Sequence, residues 1–108
     1  MILLGIPTCD TCRKARKALA AAGHSVTFRD IRKDPLSAAE LAPLLAEFGD
    51  ALVNQRSTTW RGLSAQERQA DALGLLQAHP SLMKRPVCID GATRTLGWDK
   101  VAQTVWDI

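Results

Sequence analysis

The sequence predicts an α/β fold built on a mixed four-stranded sheet, in the order β-α-β, a helical insert, then β-β-α. Three observations carry this expectation. The apolar run Ile2-Leu3-Leu4 is stopped by Gly5 and Pro7, and a helical pattern of apolar positions follows at once from Asp10 to Ala22. From about residue 36 to residue 80 the apolar spacing is that of helices. Beyond it, two short β-like runs flank Asp90-Gly91, a strong signal for a tight turn between antiparallel strands.

The chain of 108 residues is expected to form a single domain, 1–108, carrying the insert at about 36–80. It holds three cysteines, an odd number that argues against a secreted disulfide framework. No stretch approaches the roughly 20 apolar residues of a membrane span, and the N-terminus lacks the pattern of a secretory signal. A reducing cytoplasm is therefore the expected setting, with no membrane partner. Fourteen basic residues against eleven acidic ones give a formal net charge of +3, too mild to imply direct nucleic-acid binding. With three Trp, two Phe and no Tyr there is no stacking platform for single strands.

Taken in order, Ile2 to Leu4 is the first strand. The first helix places Cys12, Ala15, Leu19 and Ala22 on one face and Arg13, Lys14, Arg16 and Lys17 on the other. Gly23 stands just past its end, and Ser25 to Asp30 alternates polar with apolar as a half-buried strand does. Ser37 and Glu40 form a capping box for a helix whose stripe is Leu41, Leu44, Leu45 and Phe48, closed by Gly49. A polar loop is expected from Asn54 to Arg61, anchored by Trp60, and then one capped helix from Ser64 to Ala78. His79-Pro80 breaks that helix, and a strand follows within the stretch from Leu82 to Ile89. Thr93 to Leu96 returns antiparallel, and Asp99 caps a last helix through Val101, Ala102, Val105 and Trp106.

The chemistry is expected at Cys9-Asp10-Thr11-Cys12. Cys9 stands immediately before the first turn, where unpaired backbone N–H groups carry partial positive charge and four basic residues follow within two turns. Both favour a thiolate, while the Asp10 carboxylate opposes it and can also cap the helix. Cys12 lies one turn on, on the same side, so the spacing suits a nucleophile and a resolving thiol. A zinc half-site would need two more ligands, and only Cys88, His24 and His79 remain, scattered singly. Cys88, inside an apolar strand, reads as a small buried hydrophobe.

A C-x-x-C at the first strand-to-helix junction and an Arg-Pro opening the third strand form the thioredoxin arrangement with an insert. Pro86 is then the expected cis-proline facing the cysteines.

Gly5-Ile6-Pro7-Thr8-Cys9, Arg13-Lys14-Ala15, Asn54-Gln55-Arg56, Trp60-Arg61-Gly62-Leu63, His79-Pro80-Ser81-Leu82 and Lys84-Arg85-Pro86-Val87 together resemble the ArsC/Spx/YffB family over nearly the whole chain. Thr58-Thr59-Trp60-Arg61 and Leu96-Gly97-Trp98 are most similar to its YffB-like branch, and the paired cysteines to its Spx branch. The resemblance implies a bacterial thioredoxin-fold protein with a redox-active cysteine at Cys9. In arsenate reductases it also implies oxyanion binding by arginines, matched here by Arg85 and, nearby, Arg56. Those reductases carry a histidine where this chain has Gly5, and their third arginine falls near Gly97.

The expected function is thiol-disulfide exchange in which Cys9 attacks and Cys12 or glutathione resolves. Glutathione is then a co-substrate and no cofactor is bound. The reductant is glutathione itself, a glutaredoxin or a thioredoxin, and the protein a monomer. Arg13, Arg56 and Arg85 would hold carboxylates or a small oxyanion through their planar forks. Thr8 would support Cys9, and Pro86 would border the substrate. The alternative is a Spx-type redox-sensing regulator that binds the RNA polymerase α subunit, with Gly49 close to the glycine used for that contact.

Overall fold

The computed structural model describes residues 1–108. In chain order the elements are β1 (Ile2–Gly5), α1 (Asp10–Ala21), β2 (Thr27–Asp30), α2 (Ala38–Phe48), α3 (Thr58–Arg61), α4 (Ala72–Ala78), β3 (Val87–Asp90), β4 (Thr93–Leu96) and α5 (Lys100–Val105), with short 3-10 turns between several of them. They fall into two compact units, residues 1–31 with 85–108 and residues 32–84.

The first unit holds the sheet, in the strand order β2-β1-β3-β4. β1 runs parallel to β2, Leu3 opposite Phe28, and antiparallel to β3, Leu3 opposite Cys88. β3 and β4 are antiparallel, Val87 opposite Leu96, joined through the turn at Gly91, whose φ is +60°. This is the expected mixed four-stranded sheet. Its core gathers Leu3, Cys12, Ala15, Leu19, Cys88 and Trp106, with Cys9, Phe28 and Trp98 packed at its edge. Alternation explains the choice of residues: Leu3 and Cys88 point to the same face of the sheet, where they meet the apolar stripe of α1. β2 starts at Thr27, later than the expected Ser25, because the chain must first turn away from α1 through Gly23, whose φ is +93°.

In the second unit Ser37 and Glu40 make both reciprocal bonds of the capping box, at 3.0 and 3.2 Å. Leu41 and Leu44 are buried, and Gly49 ends the helix at φ +58°. Two expectations are corrected. The polar loop at Asn54 to Arg61 contains the short helix α3, because the Ser57 hydroxyl accepts the Trp60 N–H at 3.1 Å. At its other end the Arg68 guanidinium donates to the Trp60 and Arg61 carbonyls. The single helix expected from Ser64 to Ala78 is instead broken. Ser64 and Glu67 bond reciprocally but start only a 3-10 turn, and Asp71 caps α4 afresh by accepting the Gly74 N–H at 2.7 Å. Ala65 to Ala70 offers no apolar stripe to bury, and side chains become buried only from Leu75. No helix of the protein is long and apolar enough to cross a membrane.

Candidate active site

Two structural ends meet at Cys9. β1 stops at Gly5, the chain turns through Pro7 and Thr8, and the Cys9 N–H donates to the Ile6 carbonyl at 3.0 Å. Cys9 then occupies the N-cap position of α1 in extended conformation, and its carbonyl accepts the Arg13 N–H. Its side chain makes no close capping bond, yet the Cys12 N–H of the first turn lies near enough to the sulfur to favour its charged form.

The two thiols of the pair are pushed apart. At Cys9 partial burial raises the pKa, but the Cys12 backbone N–H, the Cys12 thiol and the Arg85 guanidinium together outweigh it, and the thiol is held below its ordinary value. Cys12 is wholly buried, and that burial pushes its thiol up to about 12. The Ile6 backbone and Arg85 act the other way, while the neighbouring Cys9 sulfur reinforces the rise. One sulfur is thus favoured as thiolate, and the other is held as a thiol that donates to it.

The cation facing this pair comes from the far end of the sequence. Arg85 precedes a cis peptide bond to Pro86, at the start of β3. Arg85 is half-buried, and its Nε is buried without a hydrogen-bond acceptor while the residue makes other interactions. Pro86 is buried. The basic residues of α1 do not act as the sequence suggests. Arg13 is exposed and forms an ion pair with Asp10, and the cation that lowers Cys9 is Arg85 instead. Arg16 stacks its guanidinium over Phe28, 5.1 Å from the ring centre.

Thr8 is exposed in the turn before Cys9. Arg56 belongs to the second unit, where it is exposed. Its N–H donates to Asn54 Oδ1 at 3.0 Å, and it lines an open hollow of about 700 Å³ with Asn54, Gln55 and Lys84. Cys88 is fully buried, its thiol pushed up to about 11 by burial against a counteracting hydrogen bond from Thr95. His24 Nε2 donates to the Trp106 carbonyl at 3.0 Å. No cluster of three or more His, Cys, Asp or Glu side chains is placed to hold a metal ion.

Sequence reasoning passed over the role of Gly5 in the packing. A Cβ built there would stand 2.7 Å from the Cys12 sulfur. The signal was present, since Gly5 closes the strand just ahead of a helix that carries Cys12 on its apolar face.

A thioredoxin-like sheet with paired cysteines at the β1–α1 junction and a cis-proline at the start of β3 defines the class of fold. The model of the ArsC family matches residues 4–103, and the chain belongs to that family. It is 38% identical over 101 residues to an uncharacterised protein of Haemophilus influenzae, covering 89% of each chain. It is also 32% identical to the global transcriptional regulator Spx of Bacillus subtilis, over 87% of this chain and 76% of that one. Among solved structures, a YffB protein superposes with a TM-score of 0.89 at 31% identity and 96% coverage of both chains.

Proposed function

We propose that this ArsC-family protein is a thiol-disulfide oxidoreductase that works with glutathione. The observation that carries the reading is the opposed titration of Cys9 and Cys12 beside Arg85. Neighbouring groups whose environments separate their pKa values have separate chemical roles.

The Cys9 thiolate attacks one sulfur of a disulfide between a substrate thiol and glutathione. The Cys9–glutathione bond forms, the substrate sulfur leaves with the electron pair, and it takes a proton from solvent. Cys12 then loses its proton and attacks the Cys9 sulfur, displacing glutathione as thiolate. The resulting Cys9–Cys12 disulfide is reduced by two further glutathione molecules, or by a dithiol of glutaredoxin or thioredoxin type. Two of the influences that keep Cys12 protonated come from Cys9 itself. Once Cys9 is bonded to glutathione its charge is gone, so the first step lowers the barrier to the second.

Arg85 is the group suited to a carboxylate of glutathione or to a small oxyanion, since a guanidinium offers a bidentate fork. Arg13 and Arg56 are exposed forks of the same kind, Thr8 precedes the nucleophile, and Pro86 follows Arg85 through the cis peptide bond. Reduction of a glutathione mixed disulfide and of arsenate, each with glutathione and with a thioredoxin as reductant, tests the proposal. Turnover lost on Cys9→Ser supports it. A Cys9 that titrates like a free thiol, together with no turnover of either substrate, ends it.

A second reading is favoured by the 32% identity to Spx and by the C-x-x-C pair. In it the same thiol pair senses oxidation and the protein binds the RNA polymerase α subunit, with the exposed Gly49 in the contact. Capture of purified α subunit on the immobilised protein, in reduced and oxidised form, separates the two readings. Failure to retain it in either state removes the regulator.

A further inference from the structure

Glycine at position 5 is not demanded by its backbone. Among the glycines, positive φ values belong to Gly23, Gly49, Gly91 and Gly97, whereas Gly5 continues β1, pairs with Asp30 and accepts the Ile31 N–H at 3.1 Å. Any L-residue could hold that conformation. What excludes a side chain is volume. A Cβ would meet the Cys12 sulfur at 2.7 Å, Leu3 Cδ2 at 3.1 Å and Cys12 Cβ at 3.2 Å. The leucine end can yield, but the sulfur cannot retreat easily. Its Cα is fixed in the first turn of α1, it is wholly buried, and the Ile6 backbone faces it from the adjoining stretch of chain.

We infer that Gly5 is the positioning residue for the resolving thiol: the space left by its missing side chain is the seat in which the Cys12 sulfur is held beside Cys9. The inference rests on the reading of Cys9 and Cys12 as nucleophile and resolving group, and it adds a third residue to that pair. Gly5 touches no substrate in this scheme and acts only through Cys12. A methyl group at position 5 turns the sulfur out of its seat, so Cys9 loses the thiol that donates to it and the Cys9–Cys12 bond becomes harder to close.

The test is a cycle of four proteins: wild type, Gly5→Ala, Cys12→Ala and the double variant. Three quantities are read: the rate of Cys9 alkylation across pH, the fraction of Cys9–Cys12 disulfide in a glutathione redox buffer, and the thermal midpoint. Gly5→Ala is expected to slow Cys9 alkylation near neutrality by about tenfold, the effect of losing one hydrogen bond to a charged sulfur. It should also lower the disulfide fraction. In the Cys12→Ala background the same change is expected to leave Cys9 alkylation where it was, because the displaced sulfur is already gone. If Gly5→Ala fails to fold but the double variant folds, the shared volume is demonstrated directly. An equal effect in both backgrounds, no effect in either, or two unfolded proteins overturns the inference. A wild-type Cys9 that titrates as a free thiol would remove the chemical reading alone, since the stability coupling between positions 5 and 12 would still be measured.

Discussion

The guanidinium of Arg85 helps to hold the Cys9 thiol below its ordinary pKa, although 76 positions separate the two along the chain. A fixed positive charge there favours the thiolate at any pH at which cysteine titrates, because arginine does not lose its proton. Replacing Arg85 by Gln is expected to slow iodoacetamide labelling of Cys9 at neutral pH roughly tenfold, as when one opposite charge is withdrawn. Arg85→Lys should recover part of the rate, since the charge returns without the planar fork. Peptide mass spectrometry of quenched samples gives the rates, and an unchanged rate in the Gln variant would place the activating group elsewhere.

Cys12 is expected to control the fate of a glutathione adduct on Cys9. In the adduct the part of the Cys12 rise that comes from the Cys9 sulfur is gone, but burial still holds the thiol above its ordinary value, so it is mostly protonated at neutral pH. Attack on the Cys9–glutathione bond therefore waits on loss of that proton. Release of glutathione should accelerate with pH between 7 and 9, by up to about tenfold per unit, as the thiolate fraction grows. In Cys12→Ser the adduct should accumulate and persist. Intact-mass spectra of protein treated with oxidised glutathione check both points, and equal release rates with and without Cys12 would assign resolution to free glutathione.

How much of this was legible beforehand depends on range. Strand β1, helix α1 and the positions of Cys9 and Cys12 follow from apolar spacing and from Gly5 and Pro7, all within some 20 residues. The cap at Ser37 and the turn at Gly91 are equally local. The charge acting on Cys9 was misread for the opposite reason. Four basic residues crowd α1 in sequence, but Arg13 turns to Asp10 and Arg16 to Phe28, while the effective cation arrives through β3. Helix α3 was missed because one of its supports, Arg68, lies several residues beyond it. Gly5 looked like a strand terminator, and its second role emerges only when the Cys12 sulfur is seen against it.

Alkaline pH is expected to weaken the fold through its buried thiols. Cys88 and Cys12 titrate near 11 and 12 when folded, against 9.0 for an ordinary thiol. Above pH 9 the unfolded chain releases protons that the folded one retains, so stability is full below that pH and falls as pH rises towards the folded values. The slope is about 1.4 kcal/mol per unit for each such thiol. Cys88→Ala removes one of them. Its urea-unfolding free energy should be lower than wild type at pH 7 yet decline less steeply between pH 9 and 10.5. Parallel declines would mean that Cys88 does not titrate in this range.

Thr95 is the one buried polar residue of the core, and it is bonded on both sides. Its hydroxyl oxygen accepts the Trp106 indole N–H at 2.8 Å, and the same hydroxyl reaches the sulfur of Cys88. Thr95→Val keeps the shape but leaves the indole N–H buried without an acceptor, which costs about 1–3 kcal/mol. Thr95→Ser retains the hydroxyl and removes one methyl, for about 1 kcal/mol. Urea denaturation should therefore rank wild type above Ser and Ser above Val. Trp106→Phe in the Val background should cost less than it does alone, because the stranded donor is no longer there. Neither change at position 95 touches Cys9, so its labelling rate at neutral pH should stay at the wild-type value. A Val variant as stable as Ser would mean that the indole finds water or another acceptor, and the hydroxyl bridge would then have no part in holding α5 to β4.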